Sequence, residues 1–381
     1  MNPFSKVVSD AEQAMSIKFN TMVYELRRQG KKVTVLSLGE AFFDIPLLPM
    51  DDLPVPEIYH YSHSLGIPEL REKLAGYFQE EYQFPFDPET EILVTAGSKA
   101  AVHMTFMSIL DPGDEVIIPE PYWVSYPEQV KLCYAKPVPV PHQKTPFEYG
   151  EYVTDKTKAI IICNPHNPRG YVHTPEELQH LIDLGREKGV WILSDEAYSD
   201  FLTDGSFTSL GKLDPDKTCS AVFNSISKNY GISGWRLGYL ISRPELIQQV
   251  LKVQQHLITC PATILEYYIA RYFDDILKIT KPQIHEVVEK RNHLGRFMDE
   301  IGLEHLPGNA TFYFFVSIQP TKLSSEEFCT RLLEEEHICV VPGIGYGDSC
   351  EGFVRVSVGT AELDEIEDAL RRMKRLIETT S

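Results

Sequence analysis

Apolar residues recur along this chain in two rhythms, and the alternation between them predicts its architecture. Ile92–Thr95, Glu115–Ile118, Ala159–Cys163, Val190–Ser194 and Ala221–Phe223 are short, nearly continuous apolar runs. They are too short for helices and read as strands buried on both faces. Between them, Pro68–Tyr82, Gly97–Leu110, Ser125–Leu132 and Pro175–Lys188 carry helical spacing. In Pro68–Tyr82, for example, Leu70, Leu74, Tyr77 and Phe78 share one face, and the proline stands near the helix start. Strands alternating with helices predict an α/β fold: a mostly parallel central sheet covered by helices. In such sheets ligands sit beyond the carboxyl ends of the strands.

The flanks read differently. Residues 11–30 predict a helix closing at Gly30, followed by a strand over Val33–Leu38. A long helical region from Pro244 to about Ile301 is expected to break near Cys260-Pro261 and Lys281-Pro282. Strands over Ala310–Ile318, Ile338–Val341 and Phe353–Val358, with helices over Ser324–Glu336 and Ala361–Thr379, predict a smaller α+β domain. The expected division is a segment 1–40 joining the small domain, a large α/β domain 41–280, and a small domain 281–381.

Composition narrows the function. The 381 residues include 36 basic and 55 acidic side chains, a net charge of −19 that repels nucleic acid. No apolar run reaches the roughly 18 residues that a membrane span requires. The seven cysteines are scattered and form no Cys-x-x-Cys pair, so neither a disulfide framework nor a zinc site is indicated. No secretory signal is visible at the N-terminus, and a cytoplasmic home is expected. His60 and His63 have no further ligand cluster beside them, so no metal is expected. Gly343-Ile-Gly-Tyr-Gly347 lacks the spacing of a dinucleotide loop and is expected to shape a loop near the active site.

The chemistry gathers after the strands. Ser225-Ile-Ser-Lys228-Asn-Tyr-Gly-Ile-Ser-Gly-Trp-Arg236 places one lysine at a strand end, where it can be desolvated and form a Schiff base with a carbonyl cofactor. Ser225, Ser227 and Arg236 supply donors and charge for a phosphate. Thr95-Ala-Gly97-Ser98-Lys99 forms a strand-to-helix turn, a natural anion site. Asn164-Pro-His-Asn167-Pro-Arg-Gly170 aims an amide off another strand, and Asp195, buried at the end of the next, needs a cationic partner such as a protonated pyridine. Tyr198 follows within reach of a phenolic oxygen, and Trp123 offers a face for a flat ring. Taken singly, each of these also reads as a turn, a cap or a packed aromatic.

Together, and in this order, these motifs resemble the class I/II aminotransferases, the fold-type I enzymes dependent on pyridoxal 5′-phosphate (PLP), from about residue 14 to residue 360. The resemblance implies that Lys228 links covalently to PLP and that Asp195 partners the pyridine nitrogen. It further implies that Asn167 and Tyr198 bond the ring's O3′ and that Trp123 stacks on the ring. Gly97, Ser98, Lys99, Ser225 and Arg236 match the phosphate cup, with Tyr61 donated by a neighbouring subunit of a homodimer. Arg355 and the backbone of Gly39 match the groups facing the substrate α-carboxylate, beside Asn167. The implied reaction moves the amino group of an α-amino acid to a 2-oxo acid. The alternatives are a PLP-dependent lyase, cyclase or oxidase in a biosynthetic pathway, or a regulator, for whose DNA-binding module no room is expected before Gly39. Glu40-Ala-Phe-Phe-Asp-Ile-Pro, Ser62-His63-Ser64 and Asn309-Ala-Thr-Phe-Tyr depart from the common pattern on the substrate side. The helix after Lys99 offers no cation for a second carboxylate, which disfavours strict aspartate or glutamate specificity.

Overall fold

The computed structural model describes residues 4–12, 15–202 and 204–381. Its centre is a seven-stranded sheet built from β2 (Ile92–Thr95), β3 (Glu115–Pro119), β4 (Lys136–Val140), β5 (Thr157–Cys163), β6 (Trp191–Asp195), β7 (Ser220–Ser225) and β8 (Gly238–Ser242). The spatial order is β2-β8-β7-β6-β5-β3-β4. Only β8 runs against its neighbours β2 and β7; the other pairings are parallel. The carboxyl ends of β3, β5, β6 and β7 therefore open on one side, as the strand pattern predicts.

Strand alternation splits the apolar runs between two cores. Ile92, Val94, Ile117, Ile160, Ile162, Ile192 and Val222 pack on one face. Leu93, Val116, Ile118, Ala159, Ile161, Leu193 and Ala221 pack on the other. Both faces are covered, so consecutive residues are all apolar although they point in opposite directions.

A third core joins Phe19, Val23, Val33 and Leu36 to residues between Ile284 and Ile377. It supports two small sheets. β1 (Thr34–Val35) pairs in parallel with β10 (Ile338–Cys339), and β12 (Phe353–Ser357) lies between β11 (Val341–Pro342) and β9 (Tyr313–Ser317). The strand expected over Val33–Leu38 is thus cut to two residues, because its partner β10 is only two residues long.

The helix expected over 11–30 spans Met15–Arg28 among the described residues. The helical region after Pro244 breaks at residues 258–262 as expected, but not at Lys281-Pro282. Thr263–Glu300 is one helix with Pro282 inside it, and its only non-helical backbone is at Tyr272. The carbonyl that Pro282 leaves without a partner belongs to Lys278, an exposed residue where water can take its place.

Candidate active site

The strand ends converge on a cavity of about 580 Å³. One end of it is an anion site. After β2 the chain turns at Gly97 with φ of 85°, a conformation that costs glycine little, and enters the helix Ser98–Ile109, which carries no acidic residue in its first turn. Free backbone amides and the positive end of the helix dipole therefore face the cavity. Ser98, Lys99, Ser225, Ser227 and Arg236 line the same wall. Gly238, the first residue of β8, closes it from below: a Cβ there would lie 2.1 Å from the Ser98 amide nitrogen. Lys99 sits 4.8 Å above the Trp123 ring, and burial followed by the charge of Arg236 pulls its pKa down.

The middle of the cavity carries the titrating groups. Asp195, at the end of β6, is buried. It accepts from the Tyr126 hydroxyl at 2.9 Å and from the Ala197 amide at 3.3 Å. Burial raises its pKa, while Tyr126, Ala197 and Lys228 oppose that rise. Lys228 follows β7 on the short helix Ile226–Asn229 and donates to the Gly39 carbonyl. Desolvation lowers its pKa to about 8, with Arg355 and Arg236 adding repulsion and Glu40 and Asp195 opposing them.

At the far end lies Arg355 of β12, only 5% exposed. One terminal nitrogen donates to the Ser37 carbonyl at 2.7 Å and the other reaches Asn167 Oδ1 at 3.5 Å. Its guanidinium stacks over Tyr313 at 4.7 Å, and its Nε is buried without a partner. Asn167 donates to the Tyr198 hydroxyl at 3.4 Å, and Tyr198 meets the Tyr313 hydroxyl at 2.9 Å. The first asparagine of that turn serves the fold instead: Asn164 bonds Thr208 and His173.

The structure brings together Gly39, Ser98, Lys99, Trp123, Asn167, Asp195, Tyr198, Ser225, Lys228, Arg236 and Arg355. Gly97 shapes the turn without lining the cavity. Tyr61 stands outside it, 85% exposed on the surface. Tyr313 and Tyr346 were not singled out by the sequence reading, whereas Tyr126 belongs to the aromatic run Tyr122-Trp123-Val-Ser-Tyr126, read as offering faces for a flat ring, and the structure has it donating to Asp195 instead. Tyr126 lies in the first turn of the helix Ser125–Leu132 that follows β3; Tyr313 belongs to the third core, and Tyr346 to a small cluster with Phe315, Val341, Cys350 and Phe353. Tyr346 does bear out the expectation that the Gly343–Gly347 segment lies by the site.

Four cations therefore share the cavity: Lys99, Lys228, Arg236 and Arg355. None has a carboxylate within 4 Å among the described residues. Arg355 is buried and Lys228 half-buried, and with none of the four paired the cavity favours an anionic occupant. A phosphate at the helix N-terminus, a ring nitrogen for Asp195 and an aldehyde for Lys228 meet that preference, so the residues present fit PLP.

The sequence pattern of the class I and II aminotransferases matches residues 53–373. The aromatic-amino-acid aminotransferase 2 of Thermococcus litoralis is 33% identical over 93% of this chain and 94% of its own length. The aspartate aminotransferase of Bacillus subtilis is 34% identical over 99% of both. A solved single mutant of the Thermus thermophilus aspartate aminotransferase superimposes with a TM-score of 0.88 at 30% identity, covering 99% of this chain and 100% of that one. These comparisons favour amino transfer over the lyase, cyclase or oxidase alternative.

Proposed function

We propose that this chain, which belongs to the class I and II aminotransferase family and is a PLP-dependent aminotransferase, acts on α-amino acids with uncharged side chains. The observation that carries this reading is the disposition of the four unpaired cations. Lys99 and Arg236 belong to the anion end, Lys228 stands between, and Arg355 waits at the far end with its Nε unused. One carboxylate satisfies Arg355, and no further cation remains for a second. Glu40, also on the cavity wall, would repel one.

PLP, when bound, supplies an electron-withdrawing ring that acidifies the Cα–H bond of the amino acid joined to it. Asp195, anchored by Tyr126 and the Ala197 amide, would hold a negative charge against the ring nitrogen. Arg355 orients the substrate by its carboxylate, which fixes the bond that faces Lys228. Lys228 Nζ, its pKa lowered to about 8, is the base that moves the Cα proton. Asn167 and Tyr198 offer hydrogen bonds to the ring's oxygen, and Trp123 a face for the ring.

The test is single-turnover conversion of the cofactor from its aldehyde to its amine form, with one amino acid at a time. Neutral amino acids should convert the wild-type holoenzyme faster than aspartate or glutamate. Arg355→Lys should slow all of them by roughly 100-fold in kcat/KM, since the ammonium lacks the fork that grips a carboxylate. Faster conversion by aspartate would overturn the substrate class.

Completion of the phosphate site by a second copy belongs to the same reading. Tyr61 is exposed, as are Leu47, Val55 and Tyr59 earlier in the same segment. A homodimer would cover these side chains and bring Tyr61 to the partner's anion end. Light scattering under assay conditions should find a dimer; a fully active monomer would remove Tyr61 from the site. All seven cysteines are thiols, which supports a reducing, cytoplasmic setting. No helix among the described residues is long and apolar enough to cross a membrane.

A further inference from the structure

Behind the active-site cavity, back to back with it across Cys163 and Tyr126, lies a smaller cavity of about 120 Å³. It opens at the carboxyl ends of β3 and β5, and nothing in the aminotransferase reaction uses it. Its polar wall carries Tyr122, His142, Tyr149, His166 and Arg169. Arg169 spends only its Nε, on the Pro307 carbonyl at 3.3 Å, and rests its plane on Tyr171 at 4.9 Å. Among the described residues its two terminal nitrogens have no hydrogen-bond partner, and no carboxylate lies within 4 Å of it. The buried Nδ1 of His166 is also without a partner. Burial lowers that imidazole to about 3, so it is neutral.

The acidic groups around this cavity are already engaged. Glu120 accepts from the Asp348 and Ser349 amides at 3.1 and 2.9 Å. Glu177 accepts from the Tyr171 hydroxyl at 2.7 Å and the Thr174 amide at 2.9 Å. Lys144 is held by Glu148 at 2.8 Å. What the cavity has to spare is one uncommitted guanidinium fork and neutral donors, faced by Pro119, Pro121 and Pro146.

We propose that this cavity binds a short-chain monocarboxylate, its head forked by Arg169 and its tail against the three prolines. A planar carboxylate matches the guanidinium in a bidentate pair. The volume exceeds what one or two waters fill at roughly 30 Å³ each. The half-apolar wall disfavours a phosphate, which needs donors on every side.

Propionate is the probe, titrated by isothermal calorimetry and saturation-transfer NMR into the PLP-loaded enzyme. Arg355 at the active site also attracts carboxylates, so the titration is made in the Arg355→Ala background. Propionate should still bind there at one site per chain. Adding Arg169→Gln should weaken it by about tenfold or more, the usual effect of losing a charge-assisted pair. Arg169→Lys, which keeps the charge and loses the fork, should fall between and serves if the glutamine variant does not fold. No binding in the Arg355→Ala protein would overturn the proposal, as would unchanged affinity on losing Arg169. Displacement by inorganic phosphate at equal or lower concentration would overturn the carboxylate assignment. None of these outcomes depends on transamination activity.

Discussion

Lys228 shows how burial can set chemistry at a single residue. An exposed lysine is protonated at neutral pH and has no lone pair to offer. At the end of β7, desolvation outweighs the attraction of Glu40 and Asp195, and the amine titrates near 8. The sign is fixed by that order: below about 8 the ammonium dominates, and above it the free amine. Uptake of PLP by the PLP-free protein, which consumes the free amine, should accelerate with pH, about tenfold per unit at the acid end, and level off above 8. Stopped-flow absorbance between pH 6 and 10 measures this. A rate that keeps climbing past pH 9.5 would show a lysine that burial has not shifted. At Arg355 burial acts differently, because a guanidinium does not deprotonate. It stays charged beneath Tyr313 and waits for a carboxylate, its Nε without a partner.

At the scale of elements, the site depends on contacts that leave little mark on the sequence. The anion turn is legible, since Gly97-Ser98-Lys99 follows a strand and opens a helix. The strand supporting it is not. β8 reads as a short apolar run like any other, and its antiparallel direction is visible only from its partners. Gly238 is required there because β8 passes under the turn: its Cβ would meet the Ser98 nitrogen at 2.1 Å and the Gly97 carbonyl carbon at 2.6 Å, backbone atoms that cannot swing aside. Gly238→Ala should displace the anion amides. The expected result is a loss of PLP affinity of about tenfold or more, with overpacking costing about 1–3 kcal/mol of stability. Fluorescence titration with PLP and thermal unfolding measure the two. Unchanged affinity would mean that the turn does not form the phosphate site.

The same scale explains which expectations held and which did not. Five of the seven strands of the central sheet were legible because both faces are buried; β8 was not among the expected strands. Pro68–Tyr82, Ser125–Leu132 and Pro175–Lys188 match the structure at both ends, because proline or polar residues mark where burial begins. β4 escaped notice because its Lys-Pro-Val-Pro-Val reads as a breaker; on the sheet edge, a proline whose missing N–H faces outward costs no ladder bond. Pro282 misled in the opposite sense, since tertiary packing on both sides carries the helix through it.

For the whole molecule we propose the division into 1–40, 41–280 and 281–381, supported by the core that unites Phe19, Val23, Val33 and Leu36 with the C-terminal elements. The boundary at 280 falls within Thr263–Glu300, beyond the kink at Tyr272, so the helical stretch that follows the kink runs through both units. Its first turn holds Glu266, buried at 0% exposure, which accepts from the Ser62 hydroxyl at 2.5 Å and the Ile67 amide at 3.1 Å, beside Tyr61. Glu196, behind Asp195, is equally buried and accepts from the Leu210 amide at 2.8 Å, with its Oε2 unpartnered. Burial raises both carboxyls to about 7. In the unfolded chain they titrate near their ordinary 4.5. Between those values the native state binds the extra protons, so their contribution to stability declines as pH rises from 4.5 to 7. The penalty is complete above 7 and absent below 4.5. His166 acts in the opposite direction, because burial keeps it neutral while the unfolded ring gains a proton below 6.5. Raw stability curves therefore mix the two, and the carboxyls must be read by difference. Glu266→Gln keeps an acceptor for the Ile67 amide, can donate to the Ser62 hydroxyl oxygen and cannot ionise. Relative to wild type, it should become more stable between pH 5 and pH 8 by up to about 3 kcal/mol. Urea unfolding at the two pH values measures that difference, with Glu196→Gln giving an independent second reading. A difference that stays constant between pH 5 and pH 8 would show that these carboxyls ionise in the folded protein as they do in the unfolded chain.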